Sequence, residues 1–207
     1  VILCNKLPSC NHAFIGRKDE IKAIASHLSN QSVLFITGMA GIGKSEVAKA
    51  YAQKNRKKYT NIIYLYYTGN LRKDIANLTF ADDSVEMNEE VRFQNHYKVM
   101  QRLHTDTLLI LDNFNVLPKD EPFLKELMKN DMQLLITSRC KLKNYDSIEI
   151  KELDKEKELT ELFYKHCPSA KRDPDSVSAI IEEVNCHTLT VCMAALTLEA
   201  NGMEPEE

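Results

Sequence analysis

The sequence predicts an α/β fold in which helices cover both faces of a parallel five-stranded sheet and a small all-helical bundle follows. Two observations support this expectation. Up to about residue 150, short apolar runs rich in β-favouring residues alternate with helical patterns, which is typical of a parallel sheet. Beyond that point the sequence contains helical segments alone. We therefore expect a sheet-containing unit followed by a helical unit.

The predicted elements of the first unit begin with a helix over 17–28, where apolar residues recur at helical spacing. Asn70 can cap a short helix after the second strand. A longer helix is expected over 86–104, with inner-face candidates Val91, Tyr97, Met100 and Leu103. Strands are predicted over 31–37, 62–67, 108–112, 133–139 and 147–150, and further helices over 44–57 and 122–129.

The second unit is predicted to hold three helical segments. Pro168 and Pro174 separate the first two, and either Asp173 or Asp175 can cap the second. The predicted helices cover 151–167, 176–184 and 188–201. We divide the chain into a linker over 1–11, a sheet-containing domain over 12–150 and a helical domain over 151–207.

Composition excludes several classes of protein. The chain has 207 residues, of which 43% are apolar and 28% charged, as in ordinary globular proteins. The formal net charge of −3 gives no reason to expect direct nucleic-acid or membrane binding, and no apolar run approaches the roughly 18 residues of a membrane span. The six cysteines form no C-x-x-C pair, so we expect small buried thiols in a reducing cytoplasm. The sequence begins without Met, and we expect a cytoplasmic piece of a longer protein.

Residues 38–45 form a candidate phosphate-binding loop. They read GMAGIGKS and match the pattern G-x-x-x-x-G-K-[ST] between a predicted strand and a predicted helix. The glycines let successive backbone N–H groups turn toward phosphate oxygens. Lys44 can reach the β- and γ-phosphates, and the Ser45 hydroxyl can hold Mg²⁺. The loop is expected to bind ATP or ADP through Gly38, Met39, Ala40, Gly41, Ile42, Gly43, Lys44, Ser45 and Glu46.

The strand over 108–112 supplies a second part of this site. It reads LLILD and is the most apolar strand that ends in an acid. In P-loop proteins, an Asp at the end of a neighbouring strand provides the second protein contact to the metal. We therefore expect Asp112 to hold Mg²⁺ together with Ser45. The expected fold is the three-layer sandwich of the P-loop NTPases.

With these motifs in order, the chain resembles the NB-ARC branch of the STAND signalling ATPases, a family of P-loop NTPases. The resemblance covers about residues 12–200. The CHTLT variant near residue 188 is more similar to the bacterial members. Five segments carry the resemblance: 14-FIGRKDEI-21, 38-GMAGIGKS-45, 108-LLILDN-113, 134-LLITSR-139 and 186-CHTLTV-191.

The resemblance implies roles for residues outside the phosphate loop. In the family, the first segment lies against the adenine, which points to Phe14, Ile15 and Arg17; Lys18 here stands where the family usually has Glu. The arginine at the end of the fourth strand senses the γ-phosphate, so Arg139 would distinguish ATP from ADP.

The last segment departs most from the family pattern. Thr188 stands in place of a proline and Cys186 in place of a glycine, in a turn that closes over the base in family proteins. The resemblance places Thr188 and Leu189 near the base. The alternative is a plain helix start capped by Thr188. His187 can either line the base pocket or occupy a surface cap position, and we favour the latter.

Asn113 stands where many P-loop enzymes carry a second acid. An amide cannot accept a proton at neutral pH, although it can hold a water. General-base assistance is typically worth about 10² to 10⁴ in rate, so hydrolysis is expected to be slow. An alternative is that Asp120 or Glu121 reaches the γ-phosphate instead. The candidate catalytic residues are Lys44, Asp112, Asn113 and Arg139.

The sequence therefore predicts an ATP/ADP-binding switch of a multidomain signalling protein. In this hypothesis 12–150 is the nucleotide-binding domain, and 151–207 is the first helical subdomain of the family. The expected partners are the nucleotide, a missing N-terminal effector domain, missing C-terminal winged-helix and sensor domains, and other copies of the chain in the ATP state. The alternatives are an AAA+-type ATPase motor or loader, and a scaffold that binds ADP permanently.

Overall fold

The computed structural model describes residues 7–81, 83–84, 86–140, 142–203 and 205. Residues 1–6 of the predicted linker, with Cys4, lie outside the described residues, as do 204, 206 and 207 of the predicted helical domain.

Five parallel strands form one sheet, which confirms the prediction. They are β1 (Val33–Thr37), β2 (Asn61–Tyr66), β3 (Thr107–Asp112), β4 (Gln133–Ser138) and β5 (Ser147–Glu149). The strand order is β2-β3-β4-β1-β5, and every neighbouring pair is parallel. Because β1 and β3 both lie beside β4, the loops that follow these three strands meet at one edge of the sheet.

In the described part of the chain, eight α-helices surround and follow the sheet. They are α1 (Lys18–His27), α2 (Lys44–Lys54), α3 (Leu71–Ala76), α4 (Glu89–Met100), α5 (Phe123–Leu127), α6 (Thr160–His166), α7 (Pro174–Glu183) and α8 (Thr188–Asn201).

Side-chain caps fix where several helices begin. The Asn70 side chain accepts from Lys73 N at 3.1 Å at the start of α3, as predicted. The Asp173 side chain accepts from Ser176 N at 3.1 Å, which decides between the two candidate caps of α7.

Two predicted helices differ most from the structure at their N-terminal ends. The helix expected over 86–104 begins only at Glu89, because the Asn88 side chain caps it by accepting from Val91 N. The segment expected to be helical over 151–167 has no helix before Lys155; a π-helical turn over Lys155–Leu159 leads into α6.

The expected inner face of α4 is wrong at one position. Val91 is 43% exposed, whereas Met100 is fully buried, and Tyr97 and Leu103 are partly buried against the core. The buried face runs through Phe93, His96 and Met100 at helical spacing, which turns Val91 away from the sheet.

The sheet is covered on both faces. One core packs α3, α4 and α5 against side chains such as Leu109 and Leu111. The other packs α1 and α2 against the alternate side chains of the same strand, Leu108 and Ile110. Successive side chains of β3 therefore pack into two separate cores on opposite faces of the sheet, as expected for a three-layer sandwich.

The helices after β5 build a third core. It is formed by α6, α7 and α8 and includes the fully buried Phe163 and Val191. Ala13 and Ile15, from the segment before α1, are buried in the same core. The division of domains at residue 150 stays a prediction, and the segment before α1 links the two units.

The cysteines are less buried than expected. Among the described residues five cysteines are free, and of these only Cys167 is buried; the other four are partly exposed. Cys10 is held near the backbone oxygen of Glu46, and burial, followed by the charge of Glu46, raises the pKa of this thiol to about 11.

Within the part of the chain that the structure describes, no helix is long and apolar enough to cross a membrane.

Candidate functional site

The candidate phosphate-binding loop lies between β1 and α2, as predicted. Its glycines adopt backbone conformations that other residues rarely take, with φ of 147° at Gly38, 72° at Gly41 and 102° at Gly43. Lys44 and Ser45 begin α2, so the positive end of that helix faces the loop. This arrangement suits an anion.

Lys44 lies across the loop it belongs to. Its Nζ donates to the carbonyl oxygens of Gly38 at 2.9 Å and Met39 at 2.7 Å. Burial, together with the nearby Arg139 guanidinium, lowers the pKa of Lys44, and the Asp112 carboxylate opposes this effect. An arriving anion would relieve the repulsion between the two cations.

Asp112 accepts three side-chain hydrogen bonds at the end of β3. The Ser45 hydroxyl donates to its Oδ1 at 2.7 Å, and the Thr137 hydroxyl donates to the same oxygen at 2.5 Å. The Tyr64 phenol donates to Oδ2. With 3% exposure and these donors, the carboxylate is fixed in place. The structure therefore brings Asp112 to Ser45, as the sequence predicted.

Tyr64 is a site residue that the sequence did not single out. Burial and the hydrogen bond to Asp112 raise the pKa of its phenol well above the usual range. The register between β2 and β3 explains the contact. Tyr64 pairs with Ile110, and Ile110 lies on the same face of β3 as Asp112, two residues before it. Tyr64 therefore faces the same side of the sheet as Asp112.

Asn113 follows Asp112 in a left-handed conformation, with φ of 65°. Its backbone N–H donates to the Thr137 hydroxyl at 2.9 Å, and its side-chain Nδ2 donates to the Tyr67 carbonyl at 3.3 Å. Its Oδ1 accepts from Asn115 Nδ2 at 2.5 Å. Both ends of the amide are therefore engaged.

Asn115 is a second residue that the sequence did not single out. Its Oδ1 accepts from the Arg139 backbone N–H at 3.0 Å, so it ties the loop after β3 to the loop after β4. The exposed side chain of Arg139 lies where these two loops meet. Together these residues line a cavity of about 250 Å³ beside the phosphate loop: Ala40, Gly41, Gly43, Lys44, Ser45, Glu46, Asn113, Asn115, Thr137 and Arg139.

A second, mostly apolar cavity lies on the other side of Gly43. Phe14, Ile15 and Thr188, which the resemblance placed near the base, line this cavity together. The Thr188 hydroxyl is buried and has no hydrogen-bond partner among the described residues. The remaining lining residues are Asn11, Ala13, Arg17, Ile42, Gly43, Glu46, Leu153, Leu162 and Cys192.

Arg17 lines the same cavity, but its charged end is turned toward the loop. Its guanidinium donates to the Ile42 carbonyl at 3.2 Å and pairs with Glu20 at 2.9 Å. The side chain is 6% exposed. Arg17 therefore holds the backbone of the phosphate loop in addition to bordering the cavity.

Two predicted binding residues point elsewhere. Met39 is 52% and Leu189 50% exposed, and neither lines either cavity. Leu189 instead lies against the outside of the loop, where a Cβ on Gly41 would come within 2.9 Å of the Leu189 Cβ.

Neither alternative acid lines the 250 Å³ cavity beside the loop. Glu121 is buried, where its carboxylate accepts from the Tyr67 hydroxyl at 3.2 Å and from Leu71 N at 3.1 Å. This places Glu121 at the start of α3. Asp120 is exposed and is absent from the cavity lining.

His187 caps α8 and also contacts the phosphate loop. Its side chain accepts from Thr190 N, so the cap position expected for His187 is confirmed and a Thr188 cap is wrong. The other ring nitrogen, Nε2, lies 2.7 Å from the carbonyl oxygen of Ala40.

The fold is similar to those of two solved ATPases. The Walker-type ATPase PABY2304 of Pyrococcus abyssi superposes with a TM-score of 0.67 at 10% identity, covering 95% of this chain and 71% of that one. AMPPCP-bound DnaA from Aquifex aeolicus gives a TM-score of 0.59 at 17% identity, covering 93% of this chain and 65% of that one. The predicted P-loop NTPase sandwich is therefore confirmed as the fold. No protein-family model and no curated protein matches the sequence.

Proposed function

We propose that this chain binds ATP or ADP with Mg²⁺ and serves as the nucleotide switch of a multidomain signalling protein of the NB-ARC type. The observation that carries the proposal is the contact between Ser45 and Asp112, which joins the end of the phosphate loop to the acid of a neighbouring strand at 2.7 Å. A loop that suits phosphates and an acid that suits a metal thus lie at one edge of the sheet. The AMPPCP-bound state of the similar DnaA supports a nucleotide as the ligand.

Ser45 and Asp112 are the residues that would hold Mg²⁺. Neighbouring ligands of an octahedral ion with bonds of about 2.1 Å lie roughly 3 Å apart, so the 2.7 Å between these oxygens fits. Mg²⁺ in nucleotide sites takes one or two carboxylates plus waters and phosphate oxygens, so a single Asp is sufficient. When bound, the metal would neutralise charge on the β- and γ-phosphate oxygens.

The phosphates would occupy the 250 Å³ cavity, where the loop and Lys44 supply donors and positive charge. Lys44 can exchange its two loop carbonyls for phosphate oxygens, which bind a cation more strongly. Arg139 borders the same cavity from the β4 end and would contact the third phosphate. A group that contacts only the triphosphate can bias a switch between two states.

Arg139→Ala is expected to weaken ATP binding about 10-fold or more while ADP affinity changes less than about twofold, because a hydrogen bond to a charged group is worth about 1.5–3 kcal/mol. The measurement is the pair of dissociation constants for the purified variant. Arg102→Ala, which removes an exposed arginine after α4, is the matched control. Equal losses for both nucleotides would assign Arg139 to the shared phosphates instead.

The base would enter the second cavity. Its apolar lining suits the faces of a purine, and the unpartnered Thr188 hydroxyl offers one polar group for an edge of the ring. A buried hydroxyl without a partner costs about 1–3 kcal/mol, which a ligand would recover.

Thr188→Val is therefore expected to stabilise the nucleotide-free protein by about 1 kcal/mol and to weaken ADP binding about fivefold. The two side chains have the same shape, so packing is preserved. Thermal unfolding without nucleotide and titration with ADP measure the two effects. Thr188→Ser, which keeps the hydroxyl, should bind ADP like the wild type. Unchanged ADP affinity in Thr188→Val would show that the hydroxyl does not hydrogen-bond to the base.

Hydrolysis in this proposal is slow because Asn113 cannot act as a base. The engagement of its amide with Asn115 and Tyr67 supports a positioning role for Asn113. A long-lived nucleotide state could be detected by other domains of the protein. In this proposal, the ATP-bound state associates with other copies of the chain. Effector and sensor domains would lie outside this chain.

The direct test is to identify the nucleotide that copurifies with the protein and to follow its exchange and turnover. Bound ADP that leaves slowly, with little hydrolysis once ATP replaces it, would support the switch. Turnover of tens per second would instead favour an AAA+-type motor. Nucleotide that resists long dialysis against excess ATP would favour a permanent ADP scaffold.

A further inference from the structure

We propose that His187, the cap residue of α8, directs a backbone N–H of the phosphate loop toward the bound phosphates, so that docking of the helical unit regulates nucleotide affinity. The proposal rests on the nucleotide-binding function proposed above and adds a positioning residue to it. It depends on one hydrogen bond, one close approach and the planarity of one peptide group.

The hydrogen-bond partners of the ring assign its tautomer. Nδ1 accepts from the Thr190 backbone N–H at 3.4 Å and also lies 2.9 Å from the Thr190 hydroxyl. A ring nitrogen that accepts carries no proton in the neutral imidazole, so the proton is on Nε2. Nε2 therefore donates to the Ala40 carbonyl at 2.7 Å.

This bond fixes the orientation of the peptide between Ala40 and Gly41. In a planar trans peptide the C=O and the following N–H point in opposite directions. A carbonyl held by His187 turns toward the helical unit, so the Gly41 N–H turns away from it. Both residues line the 250 Å³ cavity, which is where that N–H can meet a phosphate oxygen.

The start of α8 lies directly against the loop at this point. A Cβ on Gly41 would come within 2.7 Å of the His187 ring and 2.9 Å of the Leu189 Cβ, both closer than real Cβ contacts. Gly41 also has a φ of 72°, which disfavours other residues. The loop and the helical unit are therefore in close contact only because position 41 is glycine.

Arg17 shows that the same arrangement recurs along the loop. Its guanidinium donates to the Ile42 carbonyl at 3.2 Å, two residues after the carbonyl held by His187. The two donors, Arg17 and His187, belong to different units of the protein. Arg17 precedes α1 within the sheet-containing unit, whereas His187 belongs to the helical unit. Only the His187 bond is lost if the helical unit moves away from the sheet.

Docking and phosphate binding are thereby coupled, and such coupling is reciprocal. With the helical unit docked, the loop presents the Gly41 N–H. When the unit lifts, the peptide between Ala40 and Gly41 is free to rotate, and one phosphate donor is lost. Bound nucleotide should correspondingly hold the start of α8 in place.

Two substitutions separate the bond to Ala40 from the cap of α8. Asn is a favoured cap residue, but its side chain is too short to reach the Ala40 carbonyl. Gln can extend an amide donor to about the position of Nε2. We expect His187→Asn to bind ADP about 3- to 10-fold more weakly than the wild type, with an unchanged unfolding temperature, and His187→Gln to bind nearly as the wild type does.

Hydrogen exchange of the backbone amides in the first turn of α8 provides a second readout. ADP should slow this exchange in the wild type and in His187→Gln, but not in His187→Asn. Full ADP affinity in His187→Asn, with ADP still slowing exchange in α8, would overturn the inference and leave the proposed function intact. A wild-type protein that binds neither ATP nor ADP would overturn both.

Discussion

Asn113→Asp is expected to raise the rate of ATP hydrolysis by about 10²-fold. The substitution supplies a carboxylate that can accept a proton from the attacking water, and such general-base assistance is typically worth about 10² to 10⁴. Single-turnover hydrolysis of bound ATP is the measurement, because product release can hide a faster chemical step in steady-state assays.

The surroundings of Asn113 tolerate this change. Aspartate accepts the left-handed backbone, with its φ of 65°, about as readily as asparagine does. One carboxylate oxygen can still accept from Asn115. The other loses the donor bond to the Tyr67 carbonyl, and repulsion from that carbonyl turns it toward the cavity.

Asn70→Asp is the matched control, since it adds the same charge at the cap of α3, where aspartate also caps well. Its hydrolysis rate should equal that of the wild type. If Asn113→Asp also hydrolyses ATP at the wild-type rate, the amide at position 113 is not what slows the reaction.

Lys44→Ala is expected to weaken the binding of both ATP and ADP by at least about 10²-fold. The substitution removes a charged donor that lines the cavity, and a charged hydrogen bond contributes about 1.5–3 kcal/mol to each phosphate contact. The carbonyls of Gly38 and Met39 also lose their donor. Titration of the variant with each nucleotide measures the loss.

The control for this variant is Lys54→Ala, at the exposed last turn of the same helix. It removes the same charge without touching the loop, and its nucleotide affinity should match that of the wild type. An unfolding temperature close to wild type would show that Lys44→Ala is folded. Nucleotide binding by a folded Lys44→Ala variant at wild-type strength would exclude the loop as the phosphate site.

Local patterns were sufficient to predict the sheet and the position of the candidate phosphate loop. The strand that ends in Asp112 is a continuous apolar run because both of its faces are buried, and such runs are visible in the sequence. The loop could be predicted because its glycines and Lys44 follow a fixed spacing. The helix cap at Asn70 could be predicted for the same reason, since it depends on neighbours three residues away.

Contacts between distant parts of the chain could not be predicted in this way. Tyr64 reaches Asp112 only because β2 and β3 pair in a particular register. Asn115 joins two loops that meet only once β3 and β4 are neighbours. His187 reaches Ala40 across 147 positions of the sequence. None of these pairs has a spacing that a sequence pattern would reveal.

The burial of Ala13 and Ile15 among the helices after β5 also constrains the order of events during synthesis. The helix that completes their core, through Ala195, emerges from the ribosome about 180 residues after them. At 5–20 residues per second this delay is roughly 10 to 40 s. Ile15 and Thr188 also border the proposed base cavity, so the cavity is incomplete throughout that interval. A nascent chain should therefore gain protection from nucleotide only after α8 has emerged from the ribosome.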